Sequence, residues 1–187
     1  MSRRFRRLAV VALVLLVIGA VALMLTTRPK LEDDRSAVDR TWTPVRGSLA
    51  ERYNRLGEAN AQLVAAGGGE RDVARALGLR LARWGELQRA RAGDADADAE
   101  AQTADQLEGL ATRLQAVASS SDRLRAAESL NQAIAAFQGT SNPQLQAAIK
   151  TYNDSVRDYE DERDGLLRSP VASLFGYGSR PQLLLSS

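Results

Sequence analysis

Four acidic residues at alternate positions form the most site-like pattern in this chain. They are Asp94, Asp96, Asp98 and Glu100. Carboxylates spaced in this way begin a calcium-binding loop, which also needs a glycine at its sixth position and a glutamate at its twelfth. Those two positions hold Ala99 and Asp105 here. The pattern therefore favours a solvated linker, with acids at the N-terminus of a following helix, where negative charge is stabilising.

A second acidic run extends from Asp154 to Asp164 and contains six carboxylates and two arginines. Paired carboxylates can transfer protons in general acid–base catalysis, as in a peptidoglycan hydrolase. This run, however, shares its segment with a regular apolar stripe. A solvent-exposed helix face is therefore the favoured interpretation, and a hydrolase is the weaker alternative.

Several kinds of chemistry are excluded by residue type. The chain has no histidine and no cysteine, which removes the commonest general base, the commonest transition-metal ligand and all thiolate chemistry. The glycine run 67–69 lacks the lysine and the preceding strand of a phosphate-binding loop. We therefore expect no catalytic residue, no metal site and no cofactor.

The charge is unevenly distributed along the 187 residues. Residues 1–30 hold six of the 25 basic residues and no acid, so the rest of the chain has 19 basic residues against 23 acidic ones. The N-terminal segment therefore accounts for the basic isoelectric point. A mildly acidic body argues against nucleic acid as a partner, because such binding needs a basic surface.

An uncharged apolar run of 18 residues extends from Leu8 to Leu25, directly after four arginines. As a helix it is about 27 Å long, roughly the thickness of the hydrocarbon core of a membrane. Basic flanks stay in the cytoplasm. The run therefore predicts a cytoplasmic tail at 1–7, a transmembrane anchor at 8–27 and a body on the outer side of a bacterial cytoplasmic membrane.

A cleaved signal peptide is the competing interpretation of this segment. Ala20-Val21-Ala22 has the small-residue spacing of a cleavage site. However, the apolar run continues beyond that site to Leu25, and no polar region precedes it. An uncleaved single-pass anchor is therefore favoured, and both interpretations export the body.

Large apolar residues recur every three or four positions through four later segments, which is typical of helices that share a core. The segments are 36–66, 70–91, 100–118 and 122–166, the last interrupted near Gly139 and Pro143. Aromatic residues are only 5% of the chain, and the apolar residues are mainly Ala, Leu and Val. The sequence therefore predicts an all-α fold, with an antiparallel four-helix bundle of long helices over 31–168.

The C-terminal segment 169–187 has a different character. It holds two prolines and two glycines beside the apolar residues Leu174, Phe175 and Leu183–Leu185. No long helix is expected there. The apolar side chains can dock on the bundle, on the membrane surface or on a partner.

Two motifs resemble the LemA family of bacterial membrane proteins. The first lies in the first long helix and consists of Trp42, Val45, Arg52, Tyr53 and Asn54. The second lies in the last helix and the tail, at Tyr152, Asn153, Val156, Tyr159, Pro170, Phe175 and Gly176. Each tyrosine on an apolar stripe is expected to pack its ring and hydrogen-bond its hydroxyl at the rim.

The chain also departs from the family pattern. Arg55 to Ala59 replace the family's Leu-Ile-Pro-Asn-Leu stretch, and the second Tyr-Asn pair is Tyr159-Glu160. The chain therefore resembles a divergent member. The resemblance implies an anchored, elongated helical bundle with no established enzymatic activity, and it supplies no catalytic or ligand-binding residue.

These observations favour an interaction or scaffold module of the cell envelope, with a membrane or envelope protein as its partner. A self-associating structural protein that organises the membrane is the main alternative. An envelope hydrolase and a sensor domain for a small ligand are less favoured, because the chain lacks catalytic residues and its Ala-rich core leaves little room.

Overall fold

A computed structural model describes residues 3–69, 71–89, 97–165 and 169–185, with side chains from Ile18 onwards except at positions 20, 21, 23 and 170. Every regular element within these ranges is helical, so the predicted all-α class is confirmed. The helices are α1 (Arg3–Leu63), α2 (Asp72–Arg89), α3 (Ala97–Ala118), α4 (Asp122–Arg125), α5 (Glu128–Gln138), α6 (Pro143–Arg163) and α7 (Ser169–Leu174).

Helix α1 is the centre of the body. It runs for 61 residues and continues through Pro29 and Pro44 without a break. Its buried apolar residues are Leu31, Val38, Trp42, Val45, Leu49, Tyr53, Leu56, Ala59 and Leu63. Almost all neighbouring members of this stripe lie three or four residues apart, as the sequence predicts. The stripe begins at Leu31, more than one helical turn before the predicted segment 36–66. This stripe packs mainly against α5 and α6 and also contacts α2, α3 and α7.

The glycine run ends α1, as predicted. Leu63 is followed by one π-helical turn, Val64–Gly68. Within this turn Gly67 has φ +87°, a left-handed backbone conformation that residues with a Cβ rarely adopt. The chain reverses here and enters α2.

Hydrogen bonds between helices show their directions. Asn60 donates to the Ala74 carbonyl near the start of α2, and Arg46 donates to the Leu87 carbonyl near its end. Helix α2 is therefore antiparallel to α1. Helix α3 turns back and runs parallel to α1.

Helices α5 and α6 follow α1 in the opposite direction. The Phe137 ring lies against Arg52, and Tyr152 lies against Trp42 further along. Lys30 pairs with Glu162 near the end of α6. The C-terminal end of α6 therefore lies beside the segment of α1 that leads back to the N-terminus.

The prediction of one continuous helix from 122 to the glycine at 139 was wrong. Helix α4 ends at Arg125, and Ala127 is extended with ψ 93° before α5 begins. The Arg125 carbonyl accepts a hydrogen bond from the side chain of Asn131, which satisfies it outside a helical ladder. The N-cap of α4 is Ser121, whose hydroxyl accepts from the Leu124 amide.

Within the described part of the chain, no helix is both long and apolar enough to cross a membrane. The predicted span at Leu8 to Leu25 falls largely on positions whose side chains lie outside the described residues.

Candidate functional site: buried ion pairs and the docked tail

The Arg52 side chain lies inside the body, fully buried. Its Nε and Nη2 donate to the two carboxylate oxygens of Glu108 on α3, each at 2.7 Å. Its Nη1 donates to the Thr140 hydroxyl at 3.1 Å and to the Phe137 carbonyl at 3.4 Å. The guanidinium also lies 4.0 Å from the centre of the Phe137 ring. One side chain of α1 thus connects α3 to the end of α5.

The geometry of this pair explains how two charges can be buried together. Removing an arginine and a carboxylate from water costs several kcal/mol for each ion, unless the two pair closely and their remaining donors are satisfied. The two hydrogen bonds between Arg52 and Glu108 pair the charges closely. The Thr140 hydroxyl and the Phe137 carbonyl accept from the remaining donor, Nη1. The arrangement fixes the register of α3 and α5 on α1.

Tyr53 follows Arg52 and faces the neighbouring helices. Its hydroxyl donates to the Ala104 carbonyl at 3.1 Å, and its ring meets Trp84 edge to face at 4.9 Å. Burial raises the pKa of this hydroxyl well above its ordinary value, and the charge of Glu108 raises it further. The ring is packed and the hydroxyl is bonded, but in the interior rather than at the rim of the bundle.

A second buried carboxylate lies two helical turns earlier on α3. Glu100 accepts from the Trp42 indole and from Arg46 Nε, both at 2.8 Å. The Trp42 ring also contacts Tyr152 of α6, with 5.0 Å between ring centres. Val45 is buried between these contacts and those of Arg52. This cluster joins α1, α3 and α6.

Asp98 and Glu100 of the alternating acids lie in the first turn of α3, as predicted, but the expectation that they are solvated was wrong. Glu100 is buried, and Asp98 pairs with both Arg35 and Arg180. The reason is that both lie on the inward face of α3, where arginines of other segments meet them. Asp94 and Asp96 lie outside the described residues.

The C-terminal residues 177–185, called here the docked tail, lie against α6. The Tyr159 hydroxyl donates to the Gly178 carbonyl at 2.8 Å, and the Tyr152 hydroxyl donates to the Pro181 carbonyl at 2.9 Å. Asn153 donates to the Leu183 carbonyl and accepts from the Leu183 amide, both at 2.9 Å. Both polar backbone groups of Leu183 are therefore bound by a single side chain.

Charged groups hold the same tail from a second side. Arg180 is buried, and its Nη2 donates to Asp39 of α1 at 2.6 Å while its Nε pairs with Asp98 of α3. The Arg180 amide donates to the Glu160 carboxylate at 2.6 Å. Leu183 is buried against the body. Of the three docking places expected for the apolar tail, the structure therefore places residues 177–185 on the helical body.

We call the surface that receives this segment the tail groove. It consists of Asp39, Asp98, Tyr152, Asn153, Tyr159 and Glu160. Burial raises the pKa values of Tyr152 and Tyr159, which keeps both hydroxyls available as donors. Val156 lies fully buried on the same helix, so its role is packing. An open cavity of about 670 Å³ continues beside the tail and is lined in part by Lys150 and Leu184.

Other motif residues lie away from these clusters. Asn54 is exposed, although it follows Tyr53 as Asn153 follows Tyr152. Phe175 is 41% exposed, with the Arg28 guanidinium 5.1 Å from its ring centre. Gly176 has φ +72°, which explains a glycine there. Pro170 lies in α7, and its side chain is outside the described residues.

The acidic run 154–164 is only partly a solvent-exposed face. Asp158, Asp161 and Asp164 are exposed, as predicted for such a face. Glu160 instead binds the tail, and Glu162 pairs with Lys30. A hydrogen bond from Lys150 lowers the pKa of Asp154, so this carboxyl stays ionised. That is the opposite of what a general acid requires.

Sequence reasoning missed Glu108, Arg46, Asp39 and Arg180 as members of these contacts. A signal existed on α3, where Glu100, Ala104, Glu108 and Ala111 recur every three or four residues, as an apolar stripe does. The large apolar residues that recur through 100–118 include Leu110 and Val117, which are only partly buried. Large apolar residues dominate the sequence pattern of this segment, whereas alanines line much of the buried face of α3.

Comparison with known proteins gives a family match. The model of the LemA family matches residues 81–186, which includes α3, α6 and the docked tail. Neither a search of curated proteins nor a search of solved structures gives a match. The match covers more than half of the chain and includes the second of the two motifs described above. The chain belongs to the LemA family.

Proposed function

We propose that this protein is a single-pass membrane protein of the bacterial cytoplasmic membrane, with a four-helix bundle of long helices outside the cytoplasm. Its role is to bind or scaffold other envelope components, without catalysis. The observation that carries the proposal is the continuity of α1, whose backbone is helical from Arg3, through the apolar run, to Leu63 in the core. A helix of this kind would hold the bundle directly at the membrane surface.

The end of the body beside the apolar run supports this placement. Leu174 and Phe175 of the α7 region are exposed, and Phe175 lies next to Leu25 and Arg28 of α1. Aromatic residues and basic residues are enriched at the boundary between lipid and water. We propose that this end of the body contacts the lipid headgroups.

The buried polar groups connect helices to each other and to the tail, and this role favours binding over catalysis. The buried carboxylates of Glu100 and Glu108 accept hydrogen bonds from arginines and from Trp42. The tyrosines whose pKa values are raised donate hydrogen bonds to backbone carbonyls. Each of these groups joins one helix or the tail to another. Long helices with exposed faces are well suited to partner contact, as in other helical modules.

A reporter fusion tests the topology. A phosphatase that is active only outside the cytoplasm is fused after Ser187 and compared with a β-galactosidase fusion at the same position. The proposal expects phosphatase activity alone. Activity of the β-galactosidase fusion alone would overturn the orientation, and release of the phosphatase fusion in soluble form would overturn the anchor.

Site-specific crosslinking in cells tests the binding role. Photoreactive residues replace exposed Leu79 on α2 and exposed Leu174 on α7, with exposed Glu86 on α2 as the matched polar control. We expect a discrete crosslinked species from at least one apolar position and a weaker one from the control. If no position in a full scan of the exposed surface captures a partner or a second copy, the binding proposal fails.

A further inference from the structure

The tail groove recognises an extended peptide by three different means. Asn153 binds both backbone groups of Leu183, which requires an extended backbone but no particular side chain. The carboxylates of Asp39 and Asp98 select a guanidinium three residues earlier, at Arg180. A buried position then accepts the leucine side chain itself. The groove is thus a peptide-binding site for a segment with the pattern Arg-x-x-Leu.

The groove contacts of residues 178–185 do not depend on how the segment is connected to the body, whereas the Tyr177 amide donates to the Ala172 carbonyl of α7. Every bond described in the groove joins the tail to a side chain of α1, α3 or α6. The tail is joined to α6 through the short helix α7 and the glycines Gly176 and Gly178. Gly176 is in a left-handed conformation, and glycine changes such a conformation with little steric cost. The connection can therefore redirect the tail without changing a contact in the groove.

We infer that the tail groove of one copy can bind residues 177–185 of a second copy, so that two chains exchange their C-terminal tails. An identical segment from another copy forms the same hydrogen bonds and ion pairs, which makes exchange of such elements a low-cost route to association. An unrelated extended peptide without the arginine would lose the ion pairs that Arg180 makes with Asp39 and Asp98. The occupant that fits is therefore the same tail. This inference does not depend on where the chain resides in the cell.

Crosslinking between two copies tests the exchange, and the absence of native cysteine makes the design clean. One full-length copy carries Lys150→Cys beside the groove, and a second copy with a heavier tag carries Leu184→Cys in the tail. Both positions line the same cavity, and Leu184 is 74% exposed, so neither change disturbs the core. The two are produced in the same cells and treated with a flexible bismaleimide.

The matched control moves the groove cysteine to exposed Asp161 on the same helix, away from the cavity. We expect the Lys150→Cys and Leu184→Cys pair to give a yield of mixed covalent dimer about tenfold or more higher than the control pair of Asp161→Cys and Leu184→Cys. Adding Arg180→Ala to the tail donor should reduce that dimer about fivefold or more, whereas Gln182→Ala, an exposed tail position, should leave it unchanged.

A single chain carrying both Lys150→Cys and Leu184→Cys measures docking within one copy. If this chain forms the intrachain crosslink while the mixed pair gives no more dimer than the Asp161→Cys control, the tail binds only its own body and the inference is overturned. A mixed dimer that is insensitive to Arg180→Ala would also overturn it, because that dimer would not use the groove.

Discussion

The guanidinium of Arg52 and the carboxylate of Glu108 form two parallel hydrogen bonds of 2.7 Å in the interior of the protein, where neither side chain reaches solvent to any useful extent. The two residues lie 56 positions apart in the chain. The pair fixes α3 against α1, and Thr140 and Phe137 extend the same contact to the end of α5. The buried pair of Arg52 and Glu108 therefore fixes the register of α3 and α5 relative to α1.

Removal of one partner of this pair should be strongly destabilising. Glu108→Ala leaves a buried guanidinium without its carboxylate, at a cost of about 3–5 kcal/mol in the free energy of unfolding. Chemical denaturation of the detergent-solubilised full chain, followed by circular dichroism, measures the loss. The exposed pair of Arg83 and Glu86 on α2 is the control, and Glu86→Ala should cost less than about 1 kcal/mol.

The double variant Arg52→Met with Glu108→Leu should be clearly more stable than Glu108→Ala alone. Apolar side chains of similar volume remove both buried charges together, which is often neutral or even stabilising. A double variant as unstable as the single one would show that packing around Phe137, rather than the unpaired charge, governs the loss.

The two Tyr-Asn pairs should behave differently. Asn153→Ala removes both hydrogen bonds to Leu183, so we expect a loss of about 1–3 kcal/mol and faster proteolysis of residues 177–185. Asn54→Ala changes an exposed residue and should alter stability by less than about 0.5 kcal/mol. Limited proteolysis with mass analysis of the released C-terminal fragment distinguishes the two. Equal release from both variants would contradict the proposed role of Asn153.

Three of the four tyrosines should resist ionisation while the protein is folded. Burial raises the pKa values of Tyr53, Tyr152 and Tyr159. Each has a folded pKa above its unfolded value of about 10, so the stabilisation is fully present below that pH and is lost as the pH rises through the folded values. Unfolding should therefore accompany the tyrosinate absorbance change in alkali. Full ionisation of all tyrosines with native circular dichroism would contradict this prediction.

Two glycines provide a matched test of backbone conformation. Gly67→Ala places a Cβ at φ +87° against the Arg123 side chain and should destabilise the chain by about 1–2 kcal/mol. Gly109→Ala, in the middle of α3 with open space around it, should instead stabilise by about 0.5–1 kcal/mol. Thermal melts of the two variants should shift in opposite directions. A shift in the same direction would mean that Gly67 is not conformationally required.

The local pattern of the chain was sufficient to predict its long helices, but not the break between α4 and α5. The apolar stripe of α1, the stop at the glycine run and the start of α6 at Pro143 depend on residues within one or two helical turns of each other. The same is true of the bonded tyrosines on their stripes. Periodicity and capping are local properties, so they can be read without knowledge of the fold. The break between α4 and α5 escaped because the residues there are alanines, which give no signal.

The packing of the helices, rather than any local pattern, determines which charges are buried and where the tail lies. Arg180 meets Asp39, 141 residues away, and Asp98, while outwardly similar acids such as Asp158 face solvent. The residue pattern alone predicted an all-α chain, an acidic body and an apolar C-terminal tail that contains glycine and proline. The partners of the buried charges depend on the register between helices distant in the chain, and this register emerges only when all the stripes pack together.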